Sequence, residues 1–333
     1  MSYVIYTLQF TTPVHFGTAE LGGKLEQVGP AFSSDSLFSA LCWELRTLGE
    51  LDTLQAFCEK AQQREILLSD ALPYVVGKQE EYEFYLPKPV LPDKGINLAD
   101  EALQDARKEA TKRKAQKKMK YLRASEMAPY LQAVANGKPY VSPLKLGIQP
   151  LVERVNCRGE EPLPYYVGTY LFRPKTGLYV IAQVADKADF DWLQTVFESL
   201  GKTGIGGKRS SGLGKFVFAD SPLLLGDDID ICADDKALYA LLEDKTATQQ
   251  MCISSILPMP EEIPVVAEGT YTLRKRSGFT SGNGVIKKRP GVYMVQSGSC
   301  FSRRLNGTIA VLDSEQKPPV WRNGNGLFVG LRV

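Results

Sequence analysis

The chain has 333 residues, 44% of them hydrophobic, and 40 basic against 38 acidic side chains. That length holds two domains, or one with a large insertion, over a proper core, and a net charge of +2 excludes a general polyanion coat, so basic clusters matter locally. Cys42, Cys58, Cys157, Cys232, Cys252 and Cys300 lack C-x-x-C spacing and His15 is the only histidine, which leaves no recognisable metal site; with no apolar run of membrane-spanning length, a cytoplasmic protein with reduced thiols is expected.

Residues 3–11 read as a strand, where Val4, Tyr6 and Leu8 alternate with Ile5, Thr7 and Gln9. A helix is expected over 35–49. Ser33, Ser34 and Asp35 are candidate N-caps, Leu37, Phe38, Leu41, Cys42, Leu45 and Leu48 form one apolar face, and Gly49 ends it. Residues 66–160 read as an insertion with a two-stranded piece (74–76 and 82–86), a bend at Pro87, Pro89 and Pro92, and a lysine-rich helix. In that helix Arg107, Lys108, Lys112, Arg113, Lys114, Lys117, Lys118, Lys120 and Arg123 meet only Glu109, a pattern that suits either a solvated face or contact with RNA or an acidic partner. Residues 170–172 and 178–184 flank Arg173-Pro174-Lys175-Thr176-Gly177, a hairpin signal. A second amphipathic helix presents Phe190, Leu193, Phe197 and Leu200, and a strand is expected over 213–218.

Between that helix and strand lies Gly201-Lys202-Thr203-Gly204-Ile205-Gly206-Gly207-Lys208-Arg209-Ser210-Ser211-Gly212-Leu213-Gly214-Lys215. Its six glycines allow close backbone approach, and Lys202, Lys208, Arg209 and Lys215 add positive charge with no acid among them, a composition suited to phosphate. A nucleotide-binding Walker A loop fails on spacing: Gly201-Lys202-Thr203 has Val196 where the leading glycine belongs, and Gly207-Lys208 is followed by Arg209. A plain surface loop is the structural alternative.

The order strand, helix, two strands, helix, strand is that of a ferredoxin-like domain, here 1–220. Residues 221–248 read as a junction. A second, strand-rich domain over 249–333 is expected, with strands near 251–257, 270–273, 292–296, 308–312 and 327–331. Its ending, Asn323-Gly324-Asn325-Gly326-Leu327-Phe328-Val329, echoes Ser211-Gly212-Leu213-Gly214-Lys215-Phe216-Val217, so the fold class is α+β with a degenerate second ferredoxin-like copy.

A ferredoxin-like domain with a glycine-rich loop before its last strand resembles the RAMP superfamily of CRISPR-associated RNA-binding proteins. Pro13-Val14-His15-Phe16-Gly17, followed by Phe32-Ser33-Ser34-Asp35-Ser36-Leu37-Phe38, is similar to the opening of that superfamily. Leu68-Ser69-Asp70-Ala71-Leu72-Pro73 with Tyr85-Leu86-Pro87-Lys88-Pro89, and Arg276-Ser277-Gly278-Phe279 with the 292–299 segment, resemble the fourth subunit of type III-A (Csm) effector complexes. The resemblance spans essentially the full chain and is poorest at 90–160. It implies a non-catalytic subunit of antiviral defence that binds the 5′ handle of crRNA, touches the large polymerase-like subunit and caps the backbone RAMP filament.

The candidate RNA-binding residues fall in three groups. The glycine loop offers Lys202, Gly206, Gly207, Lys208, Arg209, Ser210, Ser211 and Gly212 for phosphate and 2′-OH contacts. His15 and Gly17 follow the first strand; His15 is read as an RNA-contacting or structural group, and as a general acid or base only if the chain is a metal-independent RAMP endoribonuclease that processes repeat RNA. In the second half Arg274, Lys275, Arg276, Phe279, Lys287, Lys288 and Arg289 lie in and around a flexible loop that suits either a backbone clamp or a solvated hairpin, and Gln296 and Ser297 suit either contact with unpaired base edges or a turn at Gly298. No catalytic residue, cofactor or metal is expected; a phosphate-binding metabolic enzyme is the third reading.

Overall fold

The computed structural model describes residues 2–18, 25–92, 103–157, 161–226, 232–282, 285–313 and 320–332. Its largest sheet runs in the order Phe216–Phe218, Ser2–Phe10, Thr176–Val184, Leu72–Val76, Tyr82–Pro87 and Tyr121–Arg123, with Leu223–Leu225 also on the first strand and Ile66–Leu68 also on Thr176–Val184. The pairings are antiparallel, and Ile5 faces Ile181 while Tyr6 faces Val180.

Side chains alternate across a strand, so each strand serves two faces. Val4, Tyr6, Leu8, Val180 and Ala182 point to one core, shared with Leu37, Phe38, Leu41 and Leu45 of the helix Ser34–Leu48 and with Leu193 and Phe197 of the helix Asp189–Thr203. Tyr6 stacks on Phe197 with centroids 4.7 Å apart. Tyr3, Ile5, Tyr179 and Ile181 point to the other core, where Leu238 and Leu242 of the helix Ala233–Glu243 meet Met251, Ile253, Leu327 and Val329. The second half of the chain therefore packs as a layer on the back of the sheet and shares a core with it. At about 1.5–3 kcal/mol per fully buried large apolar side chain, that shared core ties the halves firmly.

That layer contains a small sheet, Cys300–Phe301, Gln249–Cys252 and Phe328–Leu331; of two further hairpins, Leu273–Gly282 with Val285–Val295 and Gly307–Asp313 with Val320–Asn325, the second reaches the helix Ser34–Leu48 on the other face, where Ile309 and Trp321 join the first core. Among the described residues no helix is long and apolar enough to cross a membrane.

Three expectations differ from the structure. The hairpin at 170–184 does not form: Leu171–Phe172 pairs with Gly147–Ile148, while Thr176–Val184 lies between the first strand and the 66–76 segment. Thr176–Val184 is buried along its whole length, and a two-residue neighbour could not satisfy its backbone groups on either edge. The expected insertion therefore builds part of the sheet itself: 66–76, Tyr82–Pro87 and Tyr121–Arg123 all supply strands to it. Leu223–Leu225 of the expected junction is a strand on Ser2–Phe10, and the acidic residues 227–231 lie outside the described residues. The echo between the two glycine-rich segments is conformational only at its end: Phe216–Phe218 and Phe328–Leu331 are both strands, whereas Ser211 lies in the 3-10 turn Arg209–Ser211 and Asn323 in the strand Val320–Asn325. The lysine-rich helix is present as Leu103–Lys118.

Candidate nucleic-acid interface

The helix Asp189–Thr203 ends at Gly204, and the glycine loop then folds back onto the segment after the first strand. Gly207 N–H donates to His15 O at 2.9 Å, Gly214 N–H to Pro13 O at 2.9 Å, and Ile205 N–H to Gly214 O at 2.9 Å. Two glycines are there for contact. A Cβ on Gly214, which has φ +81°, would stand 2.1 Å from Ile205 O, and one on Gly207 would stand 2.6 Å from the His15 ring. The packing turns the polar residues outward: Lys202, Ser210, Ser211 and Lys215 are exposed, and Lys208, Arg209 and Gly212 half-buried. Lys208 has φ 61°, and its ammonium lies 5.6 Å from the centre of the Tyr165 ring on the hairpin Leu151–Asn156/Leu163–Gly168.

His15 is held in place. Its ring is buried, and Nδ1 donates to Gly168 O at 2.8 Å, so the imidazole links the glycine loop to the Leu163–Gly168 strand.

A cleft of about 390 Å³ opens where the two halves of the chain meet. Lys88, Lys120, Arg274, Gln296 and Ser297 line it, with Tyr121 and Thr18. Arg274 donates to Gly17 O at 3.3 Å and Thr18 O at 3.0 Å, while Lys88 donates to Gln116 O at 2.9 Å and its ammonium is pushed below the ordinary lysine value by burial. Gln296 Oε1 accepts from Thr272 Oγ1 at 3.2 Å. The floor is Asp70, a buried carboxyl that accepts from Ser34 N–H at 2.8 Å, Ser255 N–H at 2.9 Å and Ser297 Oγ at 2.9 Å. Burial pushes its pKa up against those hydrogen bonds. Ser34 comes from the first half, Ser255 and Ser297 from the second, so Asp70 fastens the seam beneath the cleft.

A second carboxylate closes the seam alongside. Asp35 accepts from Arg276 Nε and a terminal nitrogen at 3.0 Å each, from Arg322 at 2.5 Å and from Ser33 Oγ at 2.5 Å. Burial opposes its ionisation, yet the paired charges of Arg276 and Arg322 and the hydrogen bonds hold its pKa below the ordinary value of 3.8.

The family described as CRISPR Csm4 C-terminal domain matches residues 245–331. Over 316 residues the chain is 30% identical to the CRISPR system Cms protein Csm4 of Streptococcus thermophilus, covering 93% of this chain and 92% of that protein. The chain belongs to the Csm4 family. It is also 26% identical over 325 residues to the Csm4 protein of Mycobacterium tuberculosis strain H37Rv, covering 95% of this chain and 94% of that one. Among solved structures, it is similar in fold to a chain of the Csm3-Csm4 subcomplex of the type III-A CRISPR-Cas interference complex, with TM-score 0.63, 15% identity and full coverage of both chains. A chain of the Csm1-Csm4 cassette in complex with pppApA gives TM-score 0.60 and 17% identity, over 100% of this chain and 99% of that one.

Within this Csm4-family chain the expected site residues separate. His15, Gly17 and the glycine loop share one surface; Arg274, Gln296 and Ser297 share the cleft. Arg276 is committed to Asp35, and Lys275 lies 5.8 Å from the centre of the Tyr293 ring on the neighbouring strand. Phe279, Lys287 and Lys288 sit on the Leu273–Gly282/Val285–Val295 hairpin, and their side chains lie outside the described residues. Lys88, Asp35, Asp70 and Arg322 were not expected at the site, and Lys120 only as part of the basic run that suits RNA or an acidic partner. A signal existed for Lys88, Asp35 and Asp70, because all three stand in segments that carry the family resemblance.

Proposed function

We propose that the chain is the non-catalytic subunit of a type III-A effector that holds the 5′ handle of crRNA and bridges the large polymerase-like subunit to the backbone RAMP filament, in antiviral defence. The observation that carries this reading is the strap of residues 13–18. Its Pro13 and His15 carbonyls accept from the glycine loop, and its Gly17 and Thr18 carbonyls accept from Arg274 of the cleft. One short segment thus joins two basic sites, Lys208 and Arg209 on one side and Lys88, Lys120 and Arg274 on the other, into a track for a single-stranded backbone.

The sheet order and the two helices on one face support a ferredoxin-like first half. The cleft, with Gln296 and Ser297 beside its cations, is suited to an unstacked base of the handle. The bridging role is supported by relatives: Csm4 chains have been solved in a Csm3-Csm4 subcomplex and in a Csm1-Csm4 cassette.

The experiment is reconstitution of the chain with the large subunit, the backbone RAMP subunit and handle-bearing crRNA, followed by photocrosslinking. The proposal expects RNA crosslinks within 202–215 and at residues 88, 120 or 274. Assembly without crosslinks in either segment would leave a protein scaffold only. Divalent-independent cleavage of repeat RNA by the isolated chain would favour the endoribonuclease reading.

A further inference from the structure

Three arginines from three strands of the second half converge on the start of the first helix. Arg276 lies on Leu273–Gly282, Arg289 on Val285–Val295 and Arg322 on Val320–Asn325. Arg276 and Arg322 bond Asp35, and Arg289 is close enough to feel both the Asp35 and the Arg322 charges. Arg276 and Arg322 thus share one carboxylate with the Arg289 guanidinium nearby, which leaves a local excess of two positive charges. Asp70, the neighbouring carboxyl, is occupied by serine groups.

The depth of the cluster makes that excess costly. Arg322 is 5% exposed, and its Nε, like that of Arg289, has no hydrogen-bond acceptor among the described residues. Burial pushes the guanidinium pKa of both downward, and each is pushed further by a neighbouring arginine. A buried cation without a full set of acceptors is unfavourable, and an anion with several acceptor oxygens relieves the charge and the unmade hydrogen bonds together. Arg276 and Arg289 are only half-buried and form the open side.

We propose that Arg276, Arg289 and Arg322 form an anion site that takes one backbone phosphate of a bound single strand, with Asp35 fixing the spacing of the guanidiniums. The proposal rests on the RNA-binding reading above and deepens it. Arg274 and Arg276 are two residues apart on one strand and share a face, about 7 Å apart along it, so the site continues the cleft as the place for a neighbouring phosphate.

Arg289 is the residue to change, because the Asp35 bonds to Arg276 and Arg322 remain when it is removed. Full-length wild type, Arg289→Gln and Arg289→Lys are compared in two assays: thermal unfolding in phosphate against chloride at matched ionic strength, and titration with single-stranded handle RNA across a salt series. The proposal expects phosphate to raise the wild-type melting temperature and to raise that of Arg289→Gln less. It also expects Arg289→Gln to bind RNA roughly tenfold more weakly at low salt. Its log–log salt slope should fall by about 0.7, and Arg289→Lys should restore the slope. A folded Arg289→Gln with wild-type affinity, slope and phosphate response overturns the site. Phosphate protection lost in Arg289→Gln with an unchanged RNA slope assigns the site to free phosphate and overturns the backbone assignment. Wild type that binds no RNA, yet loses phosphate protection in Arg289→Gln, leaves the anion site standing and sinks the RNA-binding reading.

Discussion

Arg322 donates to the Asp35 carboxylate at 2.5 Å, across 287 residues of sequence. The carboxylate belongs to the first turn of the first helix and the guanidinium to a strand near the end of the chain. Both are nearly excluded from water, with 1% and 6% of their side chains exposed.

Asp35→Ala removes the only carboxylate bonded to Arg276 and Arg322 among the described residues. Stranding buried cations in this way is expected to cost about 3–5 kcal/mol, read as a lower denaturant midpoint. The folded pKa of Asp35 is depressed. Its contribution is therefore fully present above the ordinary value of 3.8 and is lost as pH falls through the depressed folded value. The gap between wild type and variant should be widest near neutrality and should close only in strong acid.

Asp235 gives the opposite sign. Burial and the adjacent Asp234 charge push its pKa up to about 6, and its Oδ1 has no partner among the described residues. A raised folded pKa contributes stability that is present below the ordinary value of 3.8 and is lost as pH rises through about 6. Asp235→Asn should therefore raise the melting temperature at pH values around 7.5 and change it little around 3, measured by thermal unfolding at both.

Gly214→Ala tests the glycine loop as a folded element. The positive φ alone costs an L-residue about 1–2 kcal/mol, and the approach of Ile205 O to 2.1 Å from the new Cβ adds to it. A stability loss above that range is expected in denaturant unfolding, whereas Gly212→Ala, which meets nothing within 4 Å, should lose only the conformational part.

His15 is expected to act through position alone. Repeat RNA incubated with wild-type protein should stay intact, and His15→Ala should loosen the Gly207 and Gly168 contacts and weaken RNA binding modestly. Gel analysis of end-labelled RNA checks it; cleavage that disappears in the variant would contradict the non-catalytic reading.

Local elements were legible where one segment decides them. The alternation around Tyr6, the apolar face from Leu37 to Leu45 ending at Gly49, and the glycine loop all stand where the sequence puts them. Strand partners were not. Thr176–Val184 reads as half of a local hairpin because Lys175 and Gly177 look like a turn, yet its neighbours come from residues 2–8 and 66–75. Nothing local encodes such long-range choices. The same holds at the site. Asp35 reads as a helix cap, and only the fold brings Arg276 and Arg322 to it; Lys88 and Lys120 become site residues because the pairing of Tyr82–Pro87 with Tyr121–Arg123 sets them side by side at the seam.

The central claim is that the glycine loop grips RNA phosphates, and a salt series on Lys208→Ala with Arg209→Ala tests it most directly. Binding of single-stranded handle RNA is measured for wild type and the double variant. The account predicts weaker binding and a log–log salt slope shallower by about 1.4, since each lost phosphate contact removes about 0.7. Identical affinity and slope in a folded double variant would make the loop a structural turn and contradict the account.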